Sequence, residues 1–157
     1  MTVALVRVDD RLVHGQVVVG WGRPLQAAFV AVVDDTLAAS TWEQELYRMG
    51  APEEMTLEFV TVAGARDRMA AWEADPRAGI VLLGDVPTAT ALAAAGVRLA
   101  RLNLGGIHHR PGRSERLPYV FLTDAEKEAL AALARAGVEV TAQDVPATRP
   151  VPLGELP

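Results

Sequence analysis

The sequence predicts an α/β fold: an open, mostly parallel, twisted sheet with helices on both faces. Three observations predict it. Short β-branched apolar runs alternate with alanine-rich amphipathic stretches along the whole chain. The amphipathic stretches are about ten residues long, which is enough to cross from one parallel strand to the next. Several strand runs, such as Phe29-Val30-Ala31-Val32-Val33 and Ile80-Val81-Leu82-Leu83, are apolar at every position. Strands of that kind are buried on both faces, as parallel strands are.

Taken in order, residues 3–8 read as a buried strand and 15–25 as a helix closed near Pro24. Residues 29–33 form a second strand, ending in Asp34-Asp35. Ser40 is placed to cap a helix over 41–49, which Gly50-Ala51-Pro52 ends. A third strand covers 57–62, and a helix follows over 65–73. Residues 80–83 are a fourth strand between Gly79 and Gly84; Pro87 opens the next helix and Gly96 stops it. Residues 101–104 and 119–122 are the fifth and sixth strands. Thr123 with Glu126 makes a capping box for a helix over 125–136, and Gly137 stops it. Residues 138–142 are the last strand expected, and the final strand is expected to be antiparallel. The tail from Val145 carries four prolines and reads as extended. No repeat or linker divides the 157 residues, so residues 1–157 are expected to be one domain.

Composition narrows the function. Half of the chain is apolar and 22% is charged, which suits a globular protein with a sizeable core. The net charge of −5 provides no global basic field for nucleic acid or anionic lipid. The absence of cysteine excludes disulfides, thiolate metal sites and cysteine nucleophiles, and it is compatible with the cytosol. The N-terminal apolar run is too short for a signal peptide, because Arg7 and Asp9 close it. No stretch reaches the roughly 20 apolar residues of a membrane helix. Arginine outnumbers lysine 14 to 1, the one lysine being Lys127. With the abundant alanine, this bias reads as genome composition.

In a parallel α/β sheet, ligands sit at the carboxyl ends of the strands. The loop after the first strand, Asp9-Asp10-Arg11-Leu12-Val13-His14-Gly15-Gln16, carries the densest chemistry there. The amides of a helix start attract an anion. Arg11 can grip phosphate oxygens in a bidentate fork. A neutral imidazole at His14 is a nucleophile competent toward phosphorus. Asp9 or Asp10 can orient its second nitrogen, and Gly15 leaves room for a partner. On spacing alone, a solvated loop histidine and a phosphate-handling one are equal readings.

The string Arg7-Val8-Asp9-Asp10-Arg11-Leu12-Val13-His14-Gly15-Gln16-Val17 resembles the phosphorylation-site signature of the IIB subunits of the mannose–fructose–sorbose class of the sugar phosphotransferase system, R-(I/V)-D-D-R-(L/I)-(I/V)-H-G-Q-V. Trp21 falls where that family often has an aromatic residue. Val32-Val33-Asp34-Asp35, Met49-Gly50-Ala51-Pro52, Leu102-Asn103-Leu104-Gly105-Gly106, Gly137-Val138-Glu139-Val140 and Val145-Pro146 resemble its later segments in the same order. The resemblance implies a phosphoryl relay. His14 would accept the group from a phosphohistidine of a IIA partner, with Nδ1 the phosphorylated atom, and pass it to a sugar entering through the membrane IIC and IID subunits. Arg11 would be the phosphate clamp and Asp10 a residue that orients His14. Gly15, Gln16, Gly105 and Gly106 would support the phosphate loop. The resemblance implies no cofactor or metal. It implies a cytoplasmic protein docked peripherally on the permease, and it allows a homodimer. A regulatory phosphoprotein or ligand-binding module on the same scaffold, without sugar transport, is the alternative.

Several features stay open at this level. The loop Gly105-Gly106-Ile107-His108-His109-Arg110 can face His14, with the glycine amides and Arg110 offered to a phosphoryl group, or be a solvated crossover. Adjacent histidines diverge on an extended chain, which disfavours a shared metal ion at His108 and His109. Arg110, Arg113 and Arg116 form a basic set that can dock an acidic IIA surface. Asp34-Asp35 reads as a turn and helix cap in preference to a magnesium site. Trp21, Trp42 and Trp72 read as packing residues on helices. A receiver domain is excluded, because Ala63-Gly64 follows the third strand and the single lysine is helical. No G-x-G-x-x-G, phosphate-loop or G-x-S-x-G motif follows a strand.

Overall fold

The computed structural model describes residues 3–157. Strand β1 (Val3–Val8) leads through a loop into a π-helical turn, Gln16–Trp21, and helix α1 (Gly22–Leu25). Then follow β2 (Phe29–Val33), α2 (Asp35–Ala38), α3 (Thr41–Met49), β3 (Thr56–Val60), α4 (Val62–Ala74), β4 (Gly79–Leu83), α5 (Val86–Ala94) and β5 (Arg101–Leu104). A hairpin of β6 (Ser114–Leu117) and β7 (Val120–Leu122) precedes α6 (Asp124–Arg135), β8 (Glu139–Ala142) and β9 (Val151–Pro152).

The main sheet has the order β3-β2-β4-β1-β5-β8-β9. Every pairing in it is parallel except β8 with β9. The final strand is therefore antiparallel, but it is Val151–Pro152 in the proline-rich tail, while Glu139–Ala142 runs parallel to β5. Side chains alternate across each strand and sort into two cores. Ala31, Val33, Val81, Leu83, Leu102 and Leu104 pack under α4, α5 and α6. Val30, Val32, Leu57, Ile80 and Leu82 pack under the π-helical turn and α2. The ring of Phe29 fills the space where a side chain on its cross-strand partner Gly79 would stand.

Local signals place most boundaries. Asp34, Thr61, Asp85 and Thr123 each accept a backbone N–H at the start of α2, α4, α5 and α6. The capping box of Thr123 with Glu126 is complete. Asp34 thus acts as a cap, and Asp35 accepts from Val62 N at 2.8 Å. Ser40 precedes α3, but its hydroxyl makes no cap bond. The expected helix over 15–25 is a π-helical turn followed by four α-helical residues that include Pro24. Gln26, in the left-handed region at φ 53°, closes it. Strand β6 was not expected, and it pairs with β7 apart from the main sheet. Trp21 and Trp72 are buried as expected, whereas Trp42 is 68% exposed.

The topology positions the site. From β1 the chain crosses to β2, on the β4 side; from β5 it continues to β8, on the opposite side. The connections after the neighbouring strands β1 and β5 therefore diverge. Their first residues, Asp9–His14 and Gly105–His108, meet at the carboxyl ends of the two strands.

Candidate active site

The loop after β1 is stitched to both neighbours. Asp9 N donates to Leu83 O and Asp10 N to Gly106 O, each at 2.8 Å. Leu12 N turns back to Asp9 O at 3.0 Å, which holds buried Leu12 in the left-handed region at φ 56°. His14 O accepts from Val17 N and Val18 N, so the imidazole stands where the helical turn begins. The position of a Cβ on Gly15 has nothing within 4 Å, so the loop presents an open surface there.

Beneath the loop lies a buried polar network. Arg7 and Asp9 follow one another on the same face of β1, and neither is exposed. Asp9 Oδ2 lies 3.4 Å from Arg7 Nη2 and 3.2 Å from His14 Nε2. That nitrogen of His14 is buried and makes no aligned hydrogen bond, and the side chain retains 17% exposure elsewhere on the ring. Arg7 Nη1 also donates to Asn103 Oδ1 and to Gln143 O, and Nη2 donates to Asp144 O. The indole of Trp21 lies under the guanidinium, 5.1 Å from ring centroid to Cζ. Burial pushes the Asp9 carboxyl up, but His14 and Arg7 beside it outweigh that and hold it below its ordinary value. Burial lowers the Arg7 guanidinium, against the pull of Asp9 and Asp144.

The remaining expected residues are placed as follows. Asp10 does not touch His14. Its Oδ1 lies 2.6 Å from His108 Nδ1, and its Oδ2 accepts from His108 N at 2.7 Å. Asp9 is the carboxylate against His14, and it reaches there because it shares a strand face with Arg7. Arg11 is half exposed and donates to Gln16 Oε1 at 2.6 Å, while Gln16 Nε2 donates to Asp144 Oδ1 at 2.6 Å. Gly105 and Gly106 do not offer their amides to a ligand: Gly105 N donates to Val8 O, and Gly106 N faces Asp9 Oδ2 at 3.4 Å. Gly105 is instead the floor for Arg7, whose guanidinium occupies the place a Cβ would need. Arg113 and Arg116 are paired internally with Glu126 and Asp124, so of the expected basic set Arg110 is the exposed member. His109 turns away from His108 to make an edge contact with Phe121. Among the described residues no three His, Cys, Asp or Glu side chains are grouped for a metal ion.

Asp144 is the residue sequence reading missed. It sits between the last expected strand, 138–142, and the tail from Val145, and nothing local marks it as part of the site. Asp9 was read beside Asp10 as a partner for His14, and the contact falls to Asp9. A cavity of about 880 Å³ runs past Leu5, Trp21 and Asn103 along the sheet, and His14 does not line it. The mostly buried His14 side chain lies beside the open surface at Gly15.

A family model described as the PTS system sorbose subfamily IIB component matches residues 3–156. The chain belongs to that family. It is 32% identical over 148 residues to the N-acetylgalactosamine-specific phosphotransferase enzyme IIB component 1 of Escherichia coli (strain K12), covering 92% of this chain and 91% of that protein. It is 27% identical over 140 residues to the PTS system sorbose-specific EIIB component of Klebsiella pneumoniae, covering 89% and 85%. The mannose-specific EIIAB component of Escherichia coli (strain K12) is 32% identical over 149 residues; the match covers 92% of this chain but 45% of that longer protein. Among solved structures, the IIBSor domain of the Klebsiella pneumoniae sorbose permease superposes with a TM-score of 0.88 at 26% identity, over 99% of this chain and 96% of that one. The N-acetylgalactosamine-specific IIB component 1 of Escherichia coli gives 0.87 at 28%, over 95% and 97%. The open α/β sheet is thus the fold of IIB domains. Among the described residues no helix is long and apolar enough to cross a membrane.

Proposed function

We propose that this IIB chain is a phosphohistidine relay: His14 takes a phosphoryl group from a phosphorylated IIA partner and gives it to a sugar held by a membrane IIC/IID permease. The observation that carries the proposal is the seating of the imidazole. Nε2 faces the buried Asp9 carboxylate, which favours the proton on that nitrogen and leaves the lone pair on Nδ1. Attack by Nδ1 forms a new N–P bond as the donor's N–P bond breaks. The positive charge that develops on the ring is met by Asp9. Arg7, itself buried, keeps Asp9 ionised.

Arg11 supplies the mobile cation. Its hydrogen bond to Gln16 holds it beside the loop without burying it, so it can exchange Gln16 Oε1 for phosphoryl oxygens. An imidazole reached from the open surface at Gly15 can serve donor and acceptor in succession, as work at the cytoplasmic face of a permease requires. The test is an acid-labile mass gain on incubation with a phosphorylated IIA protein. His14→Ala is expected to abolish the gain, and a phosphoryl group still acquired by that variant sinks the assignment.

A further inference from the structure

The Asp10–His108 pair has no part in holding His14, yet it has the form of an acid–base dyad. Asp10 grips residue 108 at two points, the backbone N–H at 2.7 Å and ring Nδ1 at 2.6 Å. A carboxylate on Nδ1 fixes the proton there and leaves Nε2 as the acceptor. The His108 side chain is 56% exposed, so that acceptor is open to a docked molecule. The loop beneath is anchored: Arg113 donates to His108 O at 2.9 Å and is itself locked to Glu126 by two buried bonds. The dyad and the network under His14 both border Gly106. At Gly106 the missing Cβ would lie 3.3 Å from His108 Cε1 and 3.4 Å from Asp9 Oδ1.

The two half-reactions of the relay differ in protons. Charging of His14 by a phosphohistidine needs no deprotonation, because neutral Nδ1 attacks with its lone pair. Discharge to a sugar does need one, because a hydroxyl proton must leave as the oxygen bonds to phosphorus. We propose that His108 is the general base of the discharge step, oriented by Asp10; this rests on the relay reading above. As the N–P bond to His14 Nδ1 breaks, its electron pair returns to the imidazole. The sugar oxygen bonds to phosphorus and its proton moves to His108 Nε2. Asp10 balances the resulting imidazolium, which then loses its proton to solvent. Asp10 bonds His108 at two points, Arg113 donates to its carbonyl and Asp9 lies across Gly106, while Arg110 and His109 only adjoin it in sequence.

The test separates the half-reactions. The full chain is charged with its phosphorylated IIA donor and then mixed with vesicles carrying the IIC/IID permease and one of mannose, sorbose, fructose or N-acetylgalactosamine. In His108→Gln the discharge rate is expected to fall by roughly a hundredfold or more, the usual contribution of a general base, and far more than the charging rate falls. The acid limb of the pH profile for discharge disappears in that variant, and free imidazole partly restores discharge to His108→Ala. Asp10→Asn shows a smaller loss in the same step. Equal slowing of both steps, wild-type discharge in His108→Gln, or a charged wild-type chain that discharges to none of the four sugars overturns the assignment. Failure of the wild-type chain to be charged at all overturns the relay reading itself, and the two failures are thereby distinguished.

Discussion

Arg7 concentrates the energetics of individual residues. A guanidinium without exposure is tolerable only because Asp9, Asn103 and two backbone carbonyls meet it. Gly105 belongs to this arrangement, since any side chain there collides with the guanidinium. Gly105→Ala is therefore expected to lower stability by about 1–3 kcal/mol and to slow phosphorylation of His14, read by denaturant titration and by the charging assay. Arg11 behaves oppositely, being exposed and held by one hydrogen bond to Gln16 and a long 4.0 Å ion pair with Asp9. Arg11→Ala should leave the unfolding midpoint nearly unchanged while slowing single-turnover charging by roughly a hundredfold. Arg11→Lys should recover only part of that rate, because an ammonium cannot form the fork. His14 and Arg11 were legible in the sequence because both lie in one contiguous loop. The division of labour between Asp9 and Asp10 was not, because it depends on which strand face each side chain takes and on what the loop after β5 brings across.

Secondary-structure elements follow local chemistry closely where caps and apolar runs are strong. The α6 helix is the clearest case: Thr123 and Glu126 satisfy each other's backbone donors as the sequence implied. Thr123→Ala is expected to cost about 1 kcal/mol, measured as a shift in the urea midpoint with unchanged slope. Elements that escape sequence reading lack such signals. Ser114-Glu115-Arg116-Leu117 is polar and largely charged, and it becomes a strand only because β7 offers it a partner. The π-helical turn after Gly15 carries the same apolar residues an α-helix would, so its wider winding leaves no trace in the pattern. On α3, Trp42, Leu46 and Met49 have helical spacing yet face solvent, because that helix turns only its other side toward Leu37 and Phe59.

For the whole molecule, the buried charges set how stability responds to acid. The Asp9 carboxyl titrates below its unfolded value, so its contribution is present above about pH 3.9 and is lost as pH falls through its folded value. Asp9→Asn removes the nearest counter-charge of buried Arg7 and should cost about 3–5 kcal/mol at neutral pH. The gap to the wild-type chain should narrow in acid, where the wild-type carboxyl is protonated as well. Urea titrations at pH 7 and at descending steps below about pH 3.9 measure both. The sheet order also imposes a timetable on synthesis. Arg7 is made 136 and 137 residues ahead of Gln143 and Asp144, whose carbonyls complete its bonding. Contacts of such separation close last during folding. A nascent chain can thus display the whole His14 loop long before that loop has its floor, and phosphoryl acceptance becomes a late mark of a finished domain.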